Sequence, residues 1–275
     1  MPVNRIKNPD RPVFVTIVVL AGVFTLFFLV PFAGLLERAL RDDRTWDLAT
    51  GEIARDALVL SLWTSTFTLL LAVAFGTPVA YLLSRARFPG RTLLDALVDL
   101  PIVLPPTVAG VALLTAFGRR GIVGEPIEDW TGFTFGFRTI AVVMAQFLVA
   151  APFYVRAARS GFDSVDPQFE RVAHTLGASK ARTFFRIVVP QARPALFAGM
   201  VLCWARAMGE LGATLIFAGS MQGRTQTMPL AILGAFEGSS LGLSGAISLS
   251  VVLLAVALVI LWVFRAVASR NGSVS

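Results

Sequence analysis

Chemically reactive side chains are scarce in this chain. Its 275 residues include one cysteine, Cys203, and one histidine, His174. A single cysteine excludes an intramolecular disulfide, and one residue of each kind is too few for a His/Cys metal site or a Cys–His nucleophile. Cys203 lies inside an apolar run, which is typical of a small buried side chain. The sequence therefore argues against a metal site and against a membrane-embedded enzyme.

Lysine is almost as rare, and its scarcity bears on the use of ATP. The two lysines, Lys7 and Lys180, follow Ile6 and Ser179. A P-loop needs glycine directly before its lysine, so this sequence contains no P-loop. If ATP drives the protein, another chain must hydrolyse it. We therefore expect ATP and Mg to be used by a partner, with no cofactor bound by this chain.

Charged residues are sparse in this chain, and apolar residues are abundant. Only 15% of the chain is charged and 56% is hydrophobic, whereas soluble domains are about 25% charged and about 45–50% apolar. The mean hydropathy is +0.74. The net charge of +7 is, in a membrane protein, typical of arginines near the cytoplasmic face. We expect a lipid bilayer and no nucleic acid as the environment of this chain.

Six apolar runs are long enough to cross a bilayer, which takes about 20 helical residues. The first follows a basic start but is too long for the apolar core of a signal peptide, so we expect it to be retained. The sequence thus predicts an all-α membrane protein whose six transmembrane helices are residues 13–36, 57–83, 101–118, 139–155, 194–219 and 243–264.

The distribution of lysine and arginine predicts the orientation of these helices. With the N-terminus inside, the inner segments carry 15 of these residues and the outer loops carry 8. Positive residues concentrate in cytoplasmic loops. Both termini are therefore expected in the cytoplasm of a multi-pass protein of the cell membrane.

The fourth loop, between the fourth and fifth spans, is polar and patterned. Asp166 and Pro167 are typical of a helix start, and Gly177 is typical of a helix end. Ser179 can cap a second helix, which Pro190 is expected to stop. Both helices carry apolar residues at the i, i+3, i+4, i+7 spacing of one face; in the first these are Phe169, Val172, Ala173 and Leu176. Such a pair either lies on lipid or docks a cytoplasmic partner.

The same loop resembles the cytoplasmic motif of membrane subunits of binding-protein-dependent ABC importers. That motif reads E-A-A, three residues, Gly, nine residues, I-x-L-P. This chain has Ala173, Gly177, Ile187 and Pro190 at those spacings. It departs from the motif at Arg171, which stands where glutamate is expected, with Glu170 one residue earlier. Val172 and Val189 also replace an alanine and a leucine.

Three further stretches are similar to molybdate importer permeases, whose close relatives transport sulfate or tungstate. They read DALVDLPIVLPPTVAG at 95–110, ARAMGELGATLIFAG at 205–219 and GRTQTMPLAI at 223–232. The resemblance covers nearly the whole chain. It implies a type I ABC importer transmembrane domain, a second copy of the same chain as a homodimer partner, two cytoplasmic ATP-binding cassette subunits and an extracytoplasmic oxyanion-binding protein.

The resemblance also implies roles for particular segments. Residues 1–55 would form the N-terminus, first span and outer loop, 56–265 the transmembrane domain, and 266–275 a cytoplasmic tail. The loop at 156–193 would couple the domain to the ATPase, with 167–190 as the contact segment. The implied coupling residues are Phe169, Glu170, Arg171, Val172, Ala173, His174, Leu176, Gly177, Ala178, Lys180 and Pro190.

Charges and helix breakers inside the spans suggest where an anion passes. Arg206 and Glu210 are four residues apart and share a helix face, so they form either a mutual ion pair or part of an anion route. Pro105, Pro106 and Thr107 form either a gate or an ordinary kink. Asp95 and Asp99 are expected to pair with loop arginines such as Arg85 or Arg87.

Two other classes of protein remain at this point. A secondary anion transporter would work without an ATPase, but such folds often show internal repeats, and no convincing match between the two halves of the chain is found. An enzyme would need catalytic or metal-binding side chains, and one cysteine and one histidine leave this chain with too few of them. The sequence leaves open which tetrahedral oxyanion is carried and which residues form the gate.

Overall fold

The computed structural model describes residues 11–238 and 241–272, and every regular element in those ranges is helical. The basic start at Arg5 and Lys7 and the last residues of the tail, 273–275, lie outside the described ranges. The α-helices are α1 (Arg11–Arg41), α2 (Thr45–Ala49), α3 (Glu52–Arg85), α4 (Arg91–Val103), α5 (Pro106–Phe117), α6 (Gly124–Thr131), α7 (Thr139–Asp163), α8 (Pro167–Thr175), α9 (Lys180–Thr183), α10 (Val189–Met208), α11 (Gly212–Ala218), α12 (Met228–Phe236) and α13 (Gly242–Gly272).

Within the described ranges, five segments are long and apolar enough to cross a membrane. They are Val13–Arg41, Glu52–Arg85, Thr139–Asp163, Lys180–Met208 and Gly242–Phe264. A sixth is possible if the bent pair α4 and α5 counts as one span. The prediction of an all-α membrane protein is therefore confirmed, and two of the six predicted spans need correction.

The predicted third span, 101–118, is two helices rather than one. The chain bends by 119° between α4 and α5. Leu104 and Pro105 both have extended backbone between them. A proline disfavours helical backbone in the residue before it, so Pro105 and Pro106 together end α4 and begin α5. Pro106 is tolerated at the start of α5 because the first turn needs no N–H donor there.

The predicted fifth span, 194–219, is displaced towards the N-terminus. Its helical segment runs from Lys180 to Met208, and it is broken at Gly209–Leu211 before α11 begins. The expectation that Pro190 stops a helix is wrong. A π-turn at Phe184–Val188 joins α9 to α10, and the Val189 N–H bonds to the Phe184 carbonyl. This wider turn accommodates Pro190, whose ring would clash with a regular α-turn.

Close packing of α3, α7 and α10 forms the main core of the chain. Glycines at the helix contacts allow this approach. A Cβ added at Gly199 would lie 2.8 Å from the Ala157 Cβ, and one added at Gly161 would lie 2.6 Å from the Ala195 Cβ. Small residues let transmembrane helices come close enough for extensive van der Waals contact.

A second cluster joins the short helices that follow the two breaks. The helices α5 and α11 pack on each other and on α7. A Cβ added at Gly110 would lie 2.9 Å from the Ala213 Cα, and one added at Gly212 would lie 2.9 Å from the Pro106 Cβ. The two discontinuous spans therefore meet directly at their breaks.

The helix α1 lies at the periphery of the chain. None of the residues in its most apolar stretch is buried, and its contacts within the chain are mainly to α13. The helix α13 also packs on α2 and α12. The apolar surface of α1 is thus available to lipid or to another subunit.

Replacing Gly199 by Ala tests the close approach of α7 and α10. Alanine is normally the better helix former by about 1 kcal/mol. Because the added methyl group meets Ala157 and Tyr154, we expect the protein to lose about 1–3 kcal/mol of stability instead. The measurement is thermal unfolding in detergent. Gly22→Ala is the control, since no atom lies within 4 Å of its added Cβ. Equal effects of the two variants would contradict the packing described here.

Candidate coupling and pathway sites

The helix α8 has the ends that the sequence predicts. The Asp166 carboxylate accepts a hydrogen bond from the Gln168 N–H at 2.8 Å, and Pro167 occupies the first turn. Gly177, at φ +81°, takes the left-handed conformation that closes the helix. The Ser179 hydroxyl accepts from the Arg182 N–H at 3.3 Å and caps α9. These three assignments are confirmed.

The predicted apolar face of α8 is divided between the chain and the outside. Ala173 is buried against its own chain. Phe169, Val172 and Leu176 are 53%, 56% and 83% exposed. We call these three side chains the α8 apolar surface. Burying such side chains is favourable, so their exposure leaves a surface suited to a partner.

Glu170 is the residue that fastens α8 to the transmembrane bundle. Its carboxylate accepts a hydrogen bond from the Arg85 Nε at 2.7 Å and another from the Tyr81 hydroxyl at 2.8 Å. Arg85 also donates to the Val165 carbonyl oxygen at 2.8 Å. The Arg85 and Glu170 side chains are only 18% and 14% exposed, so the pair is well shielded from water. Sequence analysis named Glu170 but missed its partners, because a contact between residues 85 positions apart leaves no local pattern.

The remaining predicted coupling residues, apart from Pro190, lie on or just after α8. The His174 Nδ1 is 3.0 Å from the Ala178 carbonyl oxygen. Arg171 and Lys180 are exposed. Pro190 is exposed in the first turn of α10. The fold thus brings all of the predicted coupling residues except Pro190 to one short segment, and their role in coupling stays a prediction.

Asp95 and Asp99 pair with different arginines from those predicted. Asp95 hydrogen-bonds with Arg159, and the Asp99 carboxylate is 3.4 Å from the Arg156 Nε. The expected partner Arg85 is taken by Glu170. The reason is geometric: α4 lies along α7, so its acidic face meets the arginines of α7.

This network continues to the end of α3. The Ser84 hydroxyl donates to Asp163 at 2.6 Å, and the Asp163 carboxylate is 3.8 Å from the Arg159 Nε. The polar contacts of Ser84, Asp95, Arg159 and Asp163 therefore connect α3, α4 and α7 at the end of the bundle that carries α8.

Arg206 and Glu210 form the mutual ion pair that was one of the two expectations. The Arg206 Nη1 lies 2.7 Å from the Glu210 Oε2, and the Glu210 side chain is 1% exposed. The other carboxylate oxygen, Oε1, accepts from the Ala213 N–H at 2.8 Å. Glu210 therefore also caps the first turn of α11, which stabilises a helix start within the membrane. The contact between Glu210 and the Ala213 N–H was not predictable from the sequence analysis, because the break at Gly209–Leu211 was not predicted.

Pro105, Pro106 and Thr107 lie at the break between α4 and α5, and all three are exposed in the single chain. The added Cβ of Gly212 would also lie 3.4 Å from the Thr107 backbone nitrogen. The two breaks therefore form one region, with Arg206 just before the second break and Glu210 within it. Their role as a gate stays a prediction.

The large open cavity lined by α3, α4, α5 and α7 is unsuited to an anion. It has a volume of about 590 Å³, and its lining includes no charged side chain. Burying a dianion there would cost many kcal/mol. This cavity is therefore not a candidate for an anion route, and the role of the breaks stays a prediction.

Comparison with known proteins places this architecture among transporters. The chain is 40% identical to the molybdenum transport system permease protein ModB of Escherichia coli (strain K12) over 220 residues, which are 78% of this chain and 96% of that protein. It is 33% identical to the probable sulfate transport system permease protein cysT of Chlorokybus atmophyticus, over 90% of this chain and 86% of that one.

The fold also matches a solved transporter. A crystal structure of a bacterial ABC transporter involved in the import of the acidic polysaccharide alginate contains a chain that superposes with a TM-score of 0.74. The two chains are 18% identical, and the match covers 95% of this chain and 96% of the other. The fold is thus that of a type I ABC importer transmembrane domain. Since the family described as binding-protein-dependent transport system inner membrane component matches residues 72–272, this chain belongs to that family.

Proposed function

We propose that this chain is the translocating membrane subunit of an ATP-driven importer for a tetrahedral oxyanion, with molybdate as its cargo. The observation that carries the proposal is the 40% identity to a molybdenum permease along 96% of that protein's length. The chain itself is a permease and not an enzyme. ATP and Mg are used by a separate ATPase, and this chain binds no cofactor.

Sulfate is the alternative cargo, because a sulfate permease is 33% identical over 90% of the chain. Molybdate, tungstate and sulfate are all tetrahedral dianions, so one pathway suits each of them. An extracytoplasmic oxyanion-binding protein would make most of the selection. The higher identity to the molybdenum permease favours molybdate.

Coupling to the ATPase is assigned to the segment 167–190. The α8 apolar surface is exposed on a helix whose opposite side is held by Glu170. A partner that binds this surface therefore pushes on Arg85 and Tyr81, which belong to the transmembrane helix α3. A secondary anion transporter has no need for such a surface, which argues against that class.

The pathway is assigned to the interface of two copies of the chain. Within one chain the breaks are exposed at Pro105, Pro106 and Thr107, and the large cavity lined by α3, α4, α5 and α7 is apolar. A homodimer would place two such regions, each with Arg206 and Glu210, around a shared route. Two ATPase subunits would bind below it, one on each α8.

The orientation follows from the position of α8. An ATPase works in the cytoplasm, so α8 and the inner ends of α3 and α7 lie on that side of the inner membrane. The excess of positive residues at that end agrees with the positive-inside rule. Both termini are then cytoplasmic, with the domain limits at 55 and 265 as expected from the sequence.

ATP hydrolysis by the complete transporter tests the cargo. We expect molybdate or tungstate, with the cognate binding protein, to stimulate hydrolysis in proteoliposomes while sulfate has no effect. Stimulation by sulfate alone would show that the cargo is sulfate rather than molybdate. Uptake by this chain without an ATPase would contradict the proposal.

The α8 apolar surface can be tested by Phe169→Ser combined with Leu176→Ser. Burial of a Phe or Leu side chain contributes about 1.5–3 kcal/mol, so we expect the complex with the ATPase to weaken by roughly a hundredfold or more. The measurement is co-purification and titration of the ATPase. Trp130→Ser is the matched control, because Trp130 is 93% exposed and lies on a different helix, α6. An unchanged complex would rule out docking through this surface.

Variants of the Glu170–Arg85 pair test the transmission of motion independently of ATPase docking. Glu170→Gln removes the charge but leaves the α8 apolar surface intact. Loss of a hydrogen bond to a charged group costs about 1.5–3 kcal/mol. We therefore expect weaker stimulation of ATP hydrolysis by the loaded binding protein, with the ATPase still bound. Arg85→Gln should act in the same way, and the double variant should be no worse than either single variant.

Glu37→Gln is the control for this pair. It removes a salt bridge to Arg41 whose side chains are 59% and 77% exposed, and such pairs contribute little. If Glu170→Gln releases the ATPase as strongly as the Phe169 and Leu176 variant does, then Glu170 contacts the ATPase and the proposed role of Arg85 is wrong.

A further inference from the structure

A polar cavity lies at the end of the bundle opposite α8. It has a volume of about 480 Å³ and lies between the end of α5, the segment before α7 and the turn after α11. We call it the outer cavity. Its charged lining residues are Arg119, Glu128, Arg138 and Arg224.

The outer cavity has a net charge that suits a dianion. Arg119 is paired with Glu128, with the Arg119 Nε 2.6 Å from the Glu128 Oε1. In the part of the chain that the structure describes, Arg138 and Arg224 make no ion pair with a carboxylate. The Arg138 guanidinium instead lies 4.9 Å from the centre of the Phe133 ring. Three arginines and one glutamate leave a charge of +2.

The two unpaired arginines are held close together by the backbone. The Thr139 hydroxyl, next to Arg138, donates to the Arg224 carbonyl oxygen at 2.9 Å. The turn that carries Arg224 is fixed by hydrogen bonds from the Arg224 and Thr225 N–H groups to the Met221 carbonyl oxygen, at 3.1 and 2.9 Å. The arginines therefore sit on a rigid frame rather than on a loose loop.

Unusual backbone geometry occurs at the same place. Phe137 has φ +59°, the one positive value among the described residues other than glycine. A bulky residue in this region is strained, and such strain is concentrated at functional sites. The Phe137 N–H bonds to the Phe217 carbonyl at 3.4 Å, and its ring lies against Gly219. This arrangement fixes the direction in which the chain enters Arg138.

The position of the outer cavity relates it to the proposed pathway. The helix α7 has 25 residues and is therefore about 37 Å long, with the cavity at its first residue and the α8 region at its last. The cavity also lies at the far ends of α5 and α11, whose near ends form the paired breaks. In the proposed orientation it opens on the outer side.

We infer that the outer cavity is an entrance site for a tetrahedral oxyanion, held by Arg138 and Arg224 before the anion reaches the breaks. This inference rests on the proposed function. Guanidinium groups bind oxyanions through two parallel N–H donors, and Thr134 lines the same cavity. A neighbouring cavity lined by Arg120, Glu125 and Asp129 carries a net negative charge and provides a comparison.

Thr134→Cys provides a direct probe of the outer cavity in the complete permease–ATPase complex. The native Cys203 is buried, so the introduced thiol is the accessible one of this chain, and the complex without Thr134→Cys gives the background reaction of the other subunits. We expect an anionic methanethiosulfonate reagent to react faster than a cationic one, by roughly tenfold, the size expected from surface potentials of several kT.

Molybdate should slow the reaction more than sodium chloride of equal ionic strength. Arg138→Gln with Arg224→Gln should abolish both effects, and the control Arg120→Gln should preserve them.

Two outcomes would overturn the entrance site. In one, neither molybdate nor sulfate protects the thiol beyond the effect of chloride. In the other, only the added binding protein protects it and the double arginine variant weakens that complex, which would make the cavity a protein-docking surface. Protection and uptake with sulfate but not with molybdate would support the entrance site while rejecting molybdate as the cargo, so the two proposals fail separately.

Discussion

Hydrocarbon provides no hydrogen-bond partners, so a membrane helix can be broken only where other groups satisfy its free ends. Both breaks in this chain obey that constraint. The second places Glu210 at the start of α11, where its carboxylate accepts from the Ala213 N–H and neutralises Arg206. The first uses Pro106, which has no N–H to satisfy and which packs against Gly212. Because each break supports the other, α5 and α11 form one discontinuous unit inside an otherwise continuous bundle.

At the end of the bundle that carries α8, polar and apolar side chains have different roles. Its polar contacts, above all Glu170 with Arg85, join the loop to α3 and are largely shielded from water. Its apolar side chains face away from the chain. A partner that binds the apolar side moves a helix that is already fastened on its polar side. Under the proposed function, binding energy and force transmission would therefore use separate residues of this nine-residue helix and its C-cap, Leu176.

Local patterns in the sequence predicted the local features of this structure and failed for the distant ones. The caps at Asp166 and Ser179 and the glycine at Gly177 were predictable because each depends on neighbours within a few residues. The partners of Glu170 and Asp95 were not, because they depend on how α3, α4 and α7 pack. The continuation of the helix through Pro190 was not predicted for a third reason. A π-turn accommodates the proline, and no simple sequence periodicity predicts such a turn. The sequence did place Arg206 and Glu210 on one face, and left the choice between ion pair and anion route to the structure.

The placement of charge along the proposed route follows from what transport demands of a binding site. A dianion held tightly in mid-membrane would be trapped, since the uncompensated arginine needed to attract it there would also retain it. Arg206 is the basic residue at that depth, and Glu210 compensates it. Arg138 and Arg224, in contrast, have no carboxylate partner among the described residues and lie at the mouth of the bundle, where water screens their attraction and lets the anion leave again. Attraction at the entrance and near-neutrality at the breaks together favour passage over retention, and they leave selection among tetrahedral oxyanions to the protein that delivers them.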